Sequence, residues 1–402
     1  MRVCLDTSTL RVPHAGIAVY TLELIEAMLG LLGSEDSLIS FDGVDGFLPV
    51  DGGWPARRRS ENEARIRGAA PHVLFSARWL EGVVRGGPIR RRIARMAKEA
   101  RFAAGAQHYD LCHCVVTLPP GRTSKPIIPL IHDVSIQRFP ETHPAERVRA
   151  FNRWLPEILK CPVINTVSAF SAREIATVLG YPRERIVVTH PGIESFFLEA
   201  DLAAEEAALA GFELRARRLI LLVGTQEPRK NIDIALTAFA ALPEESRSNS
   251  VLMIVGGKGW GQLVVPPAAE PLIRAGHIRF SGYISRLQLR ALYRRAAQLV
   301  FPSVYEGFGM PVLEALACGT AVAVSAGSSL EEVAGPYGQA IASNDVEGWR
   351  AAMQTTLEGP ELTVEQRAER QNWARSFNWH QTASRTLEMY RAVLYGTQLP
   401  SA

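Results

Sequence analysis

Apolar residues follow two alternating rhythms along the chain. Short continuous runs at 2–5, 127–131, 163–167 and 186–188 read as strands in the first half. A second series restarts at 219–223 and continues at 251–255, 277–281, 299–301 and 321–324. Between the runs lie segments with a three-to-four-residue apolar period. In the first of these, after a turn holding Pro13 and Gly16, Ile17, Tyr20, Leu24, Met28 and Leu32 fall near one helical face. Others span 230–242, 285–295, 310–317 and 379–393. Ser171 and Glu174 have capping-box spacing, which predicts a helix start there. Continuous apolar strands separated by helices predict parallel sheets covered on both faces.

Two such series, each in roughly 200 residues, predict two doubly wound α/β domains. The expected boundaries are 1–195 and 215–378, with a linker at 191–218. A last helical segment, 379–402, is expected to cross back to the first domain. Ligand loops at the strand C-termini of both domains would then surround one cleft.

Composition narrows the class. The 402 residues are 47% hydrophobic and 21% charged, the balance of a globular chain rather than a disordered one. The formal net charge of +3 gives no footprint for nucleic acid. No apolar run reaches the roughly 18 residues of a spanning helix. The start, Met1-Arg2-Val3-Cys4-Leu5-Asp6, meets an acid at once, so a cytoplasmic location is expected. Five cysteines, an odd and sparse set, do not make a disulfide framework. In Asp110-Leu-Cys112-His113-Cys114, successive strand side chains alternate faces, so a buried strand is expected and no metal site.

The charge is polarised. Residues 23–51 carry seven acids and no Lys or Arg, whereas 57–101 carry thirteen basic residues against four acids. Within the latter, the segment from Arg85 to Arg101 has Ile89, Ile93, Met96 and Ala100 at helical spacing. A basic amphipathic helix of this kind suits either an anionic membrane surface or packing on the domain with a solvated basic face.

Three stretches carry chemistry, each after a predicted strand. Gly224-Thr-Gln-Glu-Pro-Arg229-Lys230-Asn231 opens a helix, and free N–H groups with two adjacent cations suit a diphosphate. Val255-Gly256-Gly257-Lys258-Gly259-Trp260-Gly261 marks a backbone in close approach, with the spacing of neither a P-loop nor a dinucleotide fingerprint. Tyr305-Glu306-Gly307-Phe308-Gly309-Met310-Pro311-Val312-Leu313-Glu314 places one glutamate in a loop and one a helical turn later. Both carboxylates can accept hydrogen bonds from neighbouring hydroxyls, as on a sugar and a ribose.

Together, in this order, these stretches resemble the donor half of retaining glycosyltransferases of family 4, also called glycosyltransferases group 1. Phe280-Ser-Gly282-Tyr283 and Ala317-Cys-Gly319-Thr-Ala321-Val322 extend the resemblance, which is dense over 219–335. In the first half Pro13-His-Ala-Gly16-Ile-Ala-Val-Tyr20, Ile131-His132-Asp133 and Val167-Ser168-Ala-Phe-Ser171 match more loosely. The first loop lacks the second glycine and the Arg that many relatives carry.

The resemblance implies a GT-B fold, with acceptor on the first domain and nucleotide-sugar on the second. It implies that Arg229 and Lys230 bind the donor diphosphate and Glu314 the ribose. Glu306 and the backbone of Phe308, Gly309 and Met310 would hold the transferred sugar. Tyr283 and Ile284, just after Gly282, would lie near the base, and Gly224 and Gly256 would belong to the donor-binding residues. Gly16 would let the first loop approach diphosphate or acceptor, and His132 would stand near the anomeric centre. No cofactor or metal is expected, since no Asp-x-Asp signature appears. The family transfers with retention, by front-face substitution in which the departing phosphate takes the acceptor's proton.

The implied reaction is hexosyl transfer to a saccharide or lipid-linked saccharide in surface polysaccharide or O-antigen synthesis. The first loop and the Glu-Pro-Arg-Lys-Asn form are nearest to bacterial mannosyltransferases using GDP-mannose. UDP- or dTDP-sugars are the alternative donors. The rivals are a nucleotide-sugar 2-epimerase and a catalytically silent subunit that binds a partner or membrane.

Overall fold

The computed structural model describes residues 1–11, 16–42, 45–68, 88–115, 121–214 and 217–400. The described chain forms two compact α/β units. One comprises Met1–Arg138, Glu146–Gly192 and Trp379–Ala402; the other comprises Phe139–Ala145 and Ile193–Asn378.

In the first unit, β1 (Arg2–Asp6), β2 (Ser37–Phe41), β3 (Phe47–Val50), β4 (Leu111–Cys114) and β5 (Ile127–Pro129) form a sheet in the order β3-β2-β1-β4-β5. All pairs are parallel except β2 with β3, an antiparallel edge that the apolar runs did not predict. β6 (Ile164–Thr166) and β7 (Ile186–Val188) make a parallel pair, bridged to the end of β5 through Leu130 and Asn165. Cys112 and Cys114 point to one face, in a buried cluster with Cys4, Phe41, Phe102 and Tyr109. His113, on the opposite face, is 2.6 Å from the Tyr390 hydroxyl on the Trp379–Tyr395 helix. That helix packs along Gly16–Leu29, as in the contact of Trp379 with Tyr20 at 5.4 Å between ring centroids.

The second unit is a six-stranded sheet: β8 (Arg218–Val223), β9 (Ser250–Val255), β10 (Ile278–Gly282), β11 (Gln298–Phe301), β12 (Ala321–Ser325) and β13 (Gly338–Ile341). The order β10-β9-β8-β11-β12-β13 is parallel throughout. Ile220, Leu222, Leu252, Ile254 and Val300 are all within 1% of complete burial, as strands covered on both faces require. The strand order reverses between β8 and β11, so the loops leaving these two neighbours open a crevice at the topological switch point.

Several expectations change at the boundaries. The stretch from Ile193 onward is no free linker but belongs to the second unit. Its helix Leu202–Leu209 supplies Glu205, which pairs with Arg290 at 2.7 Å and Arg294 at 3.3 Å. A two-cation pairing of a buried acid anchors what composition alone read as an Ala/Glu-rich connection. The helix expected at Ser171 starts earlier, because Ser168 is the N-cap and its hydroxyl accepts from the Ser171 N–H. Glu174 is turned outward to a bidentate pair with Arg138. Leu32 falls beyond its helix, which ends at Leu29. Pro13 lies outside the described residues.

Among the described residues, part of the charge polarity is resolved by ion pairs. Arg59 pairs with Glu23 at 2.8 Å and with Glu26, and Arg57 pairs with Asp51 at 2.9 Å. Pro88–Ala104 is helical; residues 85–87 and the side chains of 88–95 lie outside the description. The described part packs inward through Phe102, while Met96 is 55% exposed. Among the described residues, no helix is long and apolar enough to cross a membrane.

Candidate active site

The cations Arg229 and Lys230 are placed by a break in the chain after β8. Pro228 opens a single 3-10 turn, Pro228–Lys230, which suits its fixed φ. Asn231 then turns left-handed at φ 55°, a conformation asparagine tolerates better than most side chains. Its side-chain amide donates to the carbonyls of Pro302 (3.1 Å) and Ser343 (2.7 Å). The helix Ile232–Ala240 begins only after this residue, so both cations sit in the turn before it rather than in its first turn.

The β11 loop meets them. Val304 N–H donates to Arg229 O at 2.9 Å, joining the two loops through the backbone. Glu306 is buried and its carboxylate gathers three donors. Lys230 Nζ and Ser303 Oγ both lie 2.6 Å from Oε1, and Arg229 Nη1 lies 2.8 Å from Oε2. Arg229 Nη2 also reaches Glu227 Oε1 at 2.9 Å, and Nη1 donates to the Tyr305 carbonyl. Lys230 Nζ stands 5.0 Å over the Phe301 ring. Burial works to raise the Glu306 pKa, but the Arg229 and Lys230 charges and the hydrogen bonds from Lys230 and Ser303 outweigh it and hold the carboxyl at about 2.

The same loop is braced from below. Ser329, fully buried, is the first residue of the Ser329–Ala334 helix, and its hydroxyl bridges the carbonyls of Glu306 (2.8 Å) and Phe308 (2.9 Å). Gly309 takes φ 116°, and a Cβ there would come within 2.6 Å of Leu330. Met310 begins the helix Met310–Ala317, which carries Glu314. Glu314 Oε2 accepts from the Tyr293 hydroxyl at 2.8 Å. Burial pushes the Glu314 carboxyl up to about 7, with the Tyr293 bond opposing it.

The glycine-rich loop approaches the protein itself. A Cβ on Gly256 would stand 2.0 Å from Gly224 O, and one on Gly259 would stand 2.7 Å from Gln226 O. Gln226 N–H donates to Gly257 O at 3.0 Å, so the β8 and β9 loops are zipped together. Gly256 is therefore required by loop packing, whereas a Cβ on Gly224 would meet only the Lys230 side chain, at 3.4 Å. Tyr283, 43% exposed, and Ile284 follow Gly282 at the end of β10.

Gly16 and His132 belong to the first unit. Gly16 is the first residue of its helix, and a Cβ there would meet nothing within 4 Å, so packing does not demand glycine. His132 Nε2 is 3.2 Å from Val115 O, which fixes the proton on Nε2 because a carbonyl only accepts. Its ring stands edge-on to Tyr20 at 5.6 Å. Burial lowers its pKa, so it is neutral near pH 7.

Ser303, Ser329, Tyr293 and Glu227 were not picked out from the sequence as site residues. Only Glu227 stood inside a motif; a lone Ser or Tyr carries no local signal. Among the described residues, no group of three His, Cys, Asp or Glu side chains is arranged to hold a metal ion.

Two cations and a carboxylate at the switch point of a parallel sheet, with a second carboxylate one helical turn on, define a site for an anionic, hydroxyl-bearing ligand. The family model "Glycosyl transferases group 1" matches residues 212–375. O-antigen chain mannosyltransferase B of Escherichia coli is 31% identical over 396 residues, covering 98% of this chain and all of that one. Among solved structures, a sucrose-phosphate synthase from Thermosynechococcus elongatus superposes with a TM-score of 0.69 at 19% identity, over 99% of this chain and all of that one. HepE from Anabaena, in complex with UDP-glucose, gives 0.67 at 14%, over 98% and 100%. The chain belongs to the glycosyl transferases group 1 family and has its two-domain GT-B fold. It is a retaining glycosyltransferase that moves a hexose from a nucleotide-diphospho-sugar.

Proposed function

We propose that the enzyme extends a surface polysaccharide or O-antigen by transfer to a saccharide or lipid-linked saccharide. The observation that carries the donor assignment is the convergence of Arg229 and Lys230 on Glu306 at 2.8 and 2.6 Å. Arg229 and Lys230 take the diphosphate, and Glu306, with the backbone of Phe308, Gly309 and Met310, takes the hexose hydroxyls. Glu314 accepts from the ribose, and Tyr283 and Ile284 flank the base. The bond from the anomeric carbon to the phosphate oxygen breaks while a bond to the acceptor oxygen forms on the same face. The acceptor's proton passes to the departing phosphate, and nucleoside diphosphate leaves. Negative charge building on that phosphate is met by two preorganised cations, the term worth most in such reactions. His132, neutral and with Nε2–H engaged by Val115, orients the sugar rather than supplying a proton.

A uridine-diphospho-hexose is the first donor reading, supported by the fold neighbour bound to UDP-glucose. GDP-mannose is the second, favoured by the end-to-end likeness to a mannosyltransferase. Calorimetry against GDP-mannose, GDP-fucose, UDP-glucose, UDP-galactose, UDP-N-acetylglucosamine and dTDP-rhamnose decides. Selective binding of one supports the reading and names the base, whereas binding of none overturns the donor assignment. We place the enzyme in the cytoplasm, with peripheral contact to anionic membrane through the segment from Arg85 to Arg101. The outward turn of Met96 supports that contact.

A further inference from the structure

The helix Arg286–Arg295 carries Tyr293, which is fully buried. Its ring is held edge-on to Phe197 at 6.0 Å, and its own carbonyl accepts from the buried Thr320 hydroxyl at 2.6 Å. The phenol therefore has little freedom to swing. Its hydroxyl meets Glu314 Oε2 at 2.8 Å. Glu314 itself is only partly buried, so one carboxylate oxygen is tied to the interior and the rotamer is set from below.

We infer that Tyr293 is a positioning residue for nucleotide recognition: it holds Glu314 by Oε2 so that Oε1 accepts from the ribose hydroxyls. The inference rests on the assignment of Glu314 to the ribose made above, and adds to it a residue that lies outside the family motif.

The electrostatics give it a measurable signature. The charged groups facing Glu314 are Glu194, from the chain before Ser195–Leu198, and Arg286, from Tyr293's own helix. These two pair with each other at 2.6 Å and so largely offset one another. On Glu314's own helix end, the Cys318 thiol is pushed up to about 12, chiefly by burial, and stays neutral. Arg367, from the helix Val364–Arg375, packs on Gly319 at the far end. Ribose hydroxyls donate, so ribonucleotide binding favours the ionised carboxylate, and affinity rises as pH climbs through about 7. Tyr293→Phe removes a donor to the ionised form and moves that midpoint upward.

The test measures binding of UDP and 2′-deoxy-UDP, and of GDP and 2′-deoxy-GDP, from about pH 6 to about pH 9. Wild type, Tyr293→Phe and Glu314→Gln are compared, with thermal melting as the check on folding. The wild type should prefer the ribonucleotide by about tenfold, the value of one charge-assisted hydrogen bond. Tyr293→Phe should lose most of that preference at neutral pH and recover it at higher pH. Site-specific 3-fluorotyrosine at 293, a stronger donor of nearly the same size, should move the midpoint down, and it serves if the phenylalanine variant does not fold. An unmoved midpoint and preference in both, with preference lost in Glu314→Gln, overturns the role of Tyr293 alone. Full ribonucleotide preference in Glu314→Gln overturns the ribose assignment, and Tyr293 falls with it.

Discussion

Replacing Glu306 by glutamine separates two things the carboxylate does. It is the shared counter-ion of Arg229 and Lys230. The interval between an ordinary glutamate near 4.5 and the value of about 2 held here corresponds to ~3 kcal/mol in favour of the ionised, folded form. Because the folded value is depressed, this stabilisation is complete above about pH 4.5 and is lost as pH falls toward about 2. Glutamine keeps an acceptor but withdraws the carboxylate charge that both cations share. For a unit of roughly 190 residues, ~3 kcal/mol lowers its melting temperature by ~6–12 °C at pH 7. The gap between wild type and variant should close as pH drops below about 4. Free UDP or GDP binding should survive, since the cations lose a competitor, while turnover falls at least ~100-fold. Thermal melting across pH, with calorimetry on the nucleotide, reads both. An unchanged melting temperature at pH 7 would refute the counter-ion role. Equal collapse of nucleotide binding and turnover would refute the division between sugar and diphosphate.

Lys230→Ala should weaken nucleoside diphosphate binding by at least ~10-fold and nearly abolish turnover; wild-type turnover would remove Lys230 from the donor site. Asn231→Ala loses the left-handed preference and two hydrogen bonds, together ~3 kcal/mol, and Asn231→Gly should recover ~1 kcal/mol of it; equal loss in both would show that the φ of 55° is not what asparagine is there for. Reversing Arg90, Arg91 and Arg92 to glutamate should cut sedimentation with anionic liposomes by at least ~10-fold, and unchanged sedimentation would sink the membrane contact.

The apolar rhythm alone pointed to sheets built chiefly of parallel strands between helices, because strands covered on both faces must be continuously apolar, but it missed the antiparallel edge of β2 and β3. It also located β8, β9, β11 and β12 within a residue or two at each end. The loops with chemistry were legible for the same local reason: glycine, proline and paired charge are unusual directly after a buried strand. What the linear order could not contain is the strand order. Arg229 and Glu306 are 77 positions apart in the chain and meet only because β11 lies beside β8 at the point where the order reverses. The same holds for Tyr293 and Glu314, brought together by packing of two helices, and for the serines that brace the β11 loop. The glycine-rich loop marked a backbone in close approach, and the fold shows that part of this approach is to the neighbouring loop, since a Cβ on Gly256 would stand 2.0 Å from Gly224 O. The acidic and basic blocks of the first half are separate along the chain, yet Arg59 and Glu23 pair across the fold. Periodicity and backbone preference are carried residue by residue, so one chain suffices to read them. Which charge finds which partner depends on contacts between distant segments, and only the folded structure sets those.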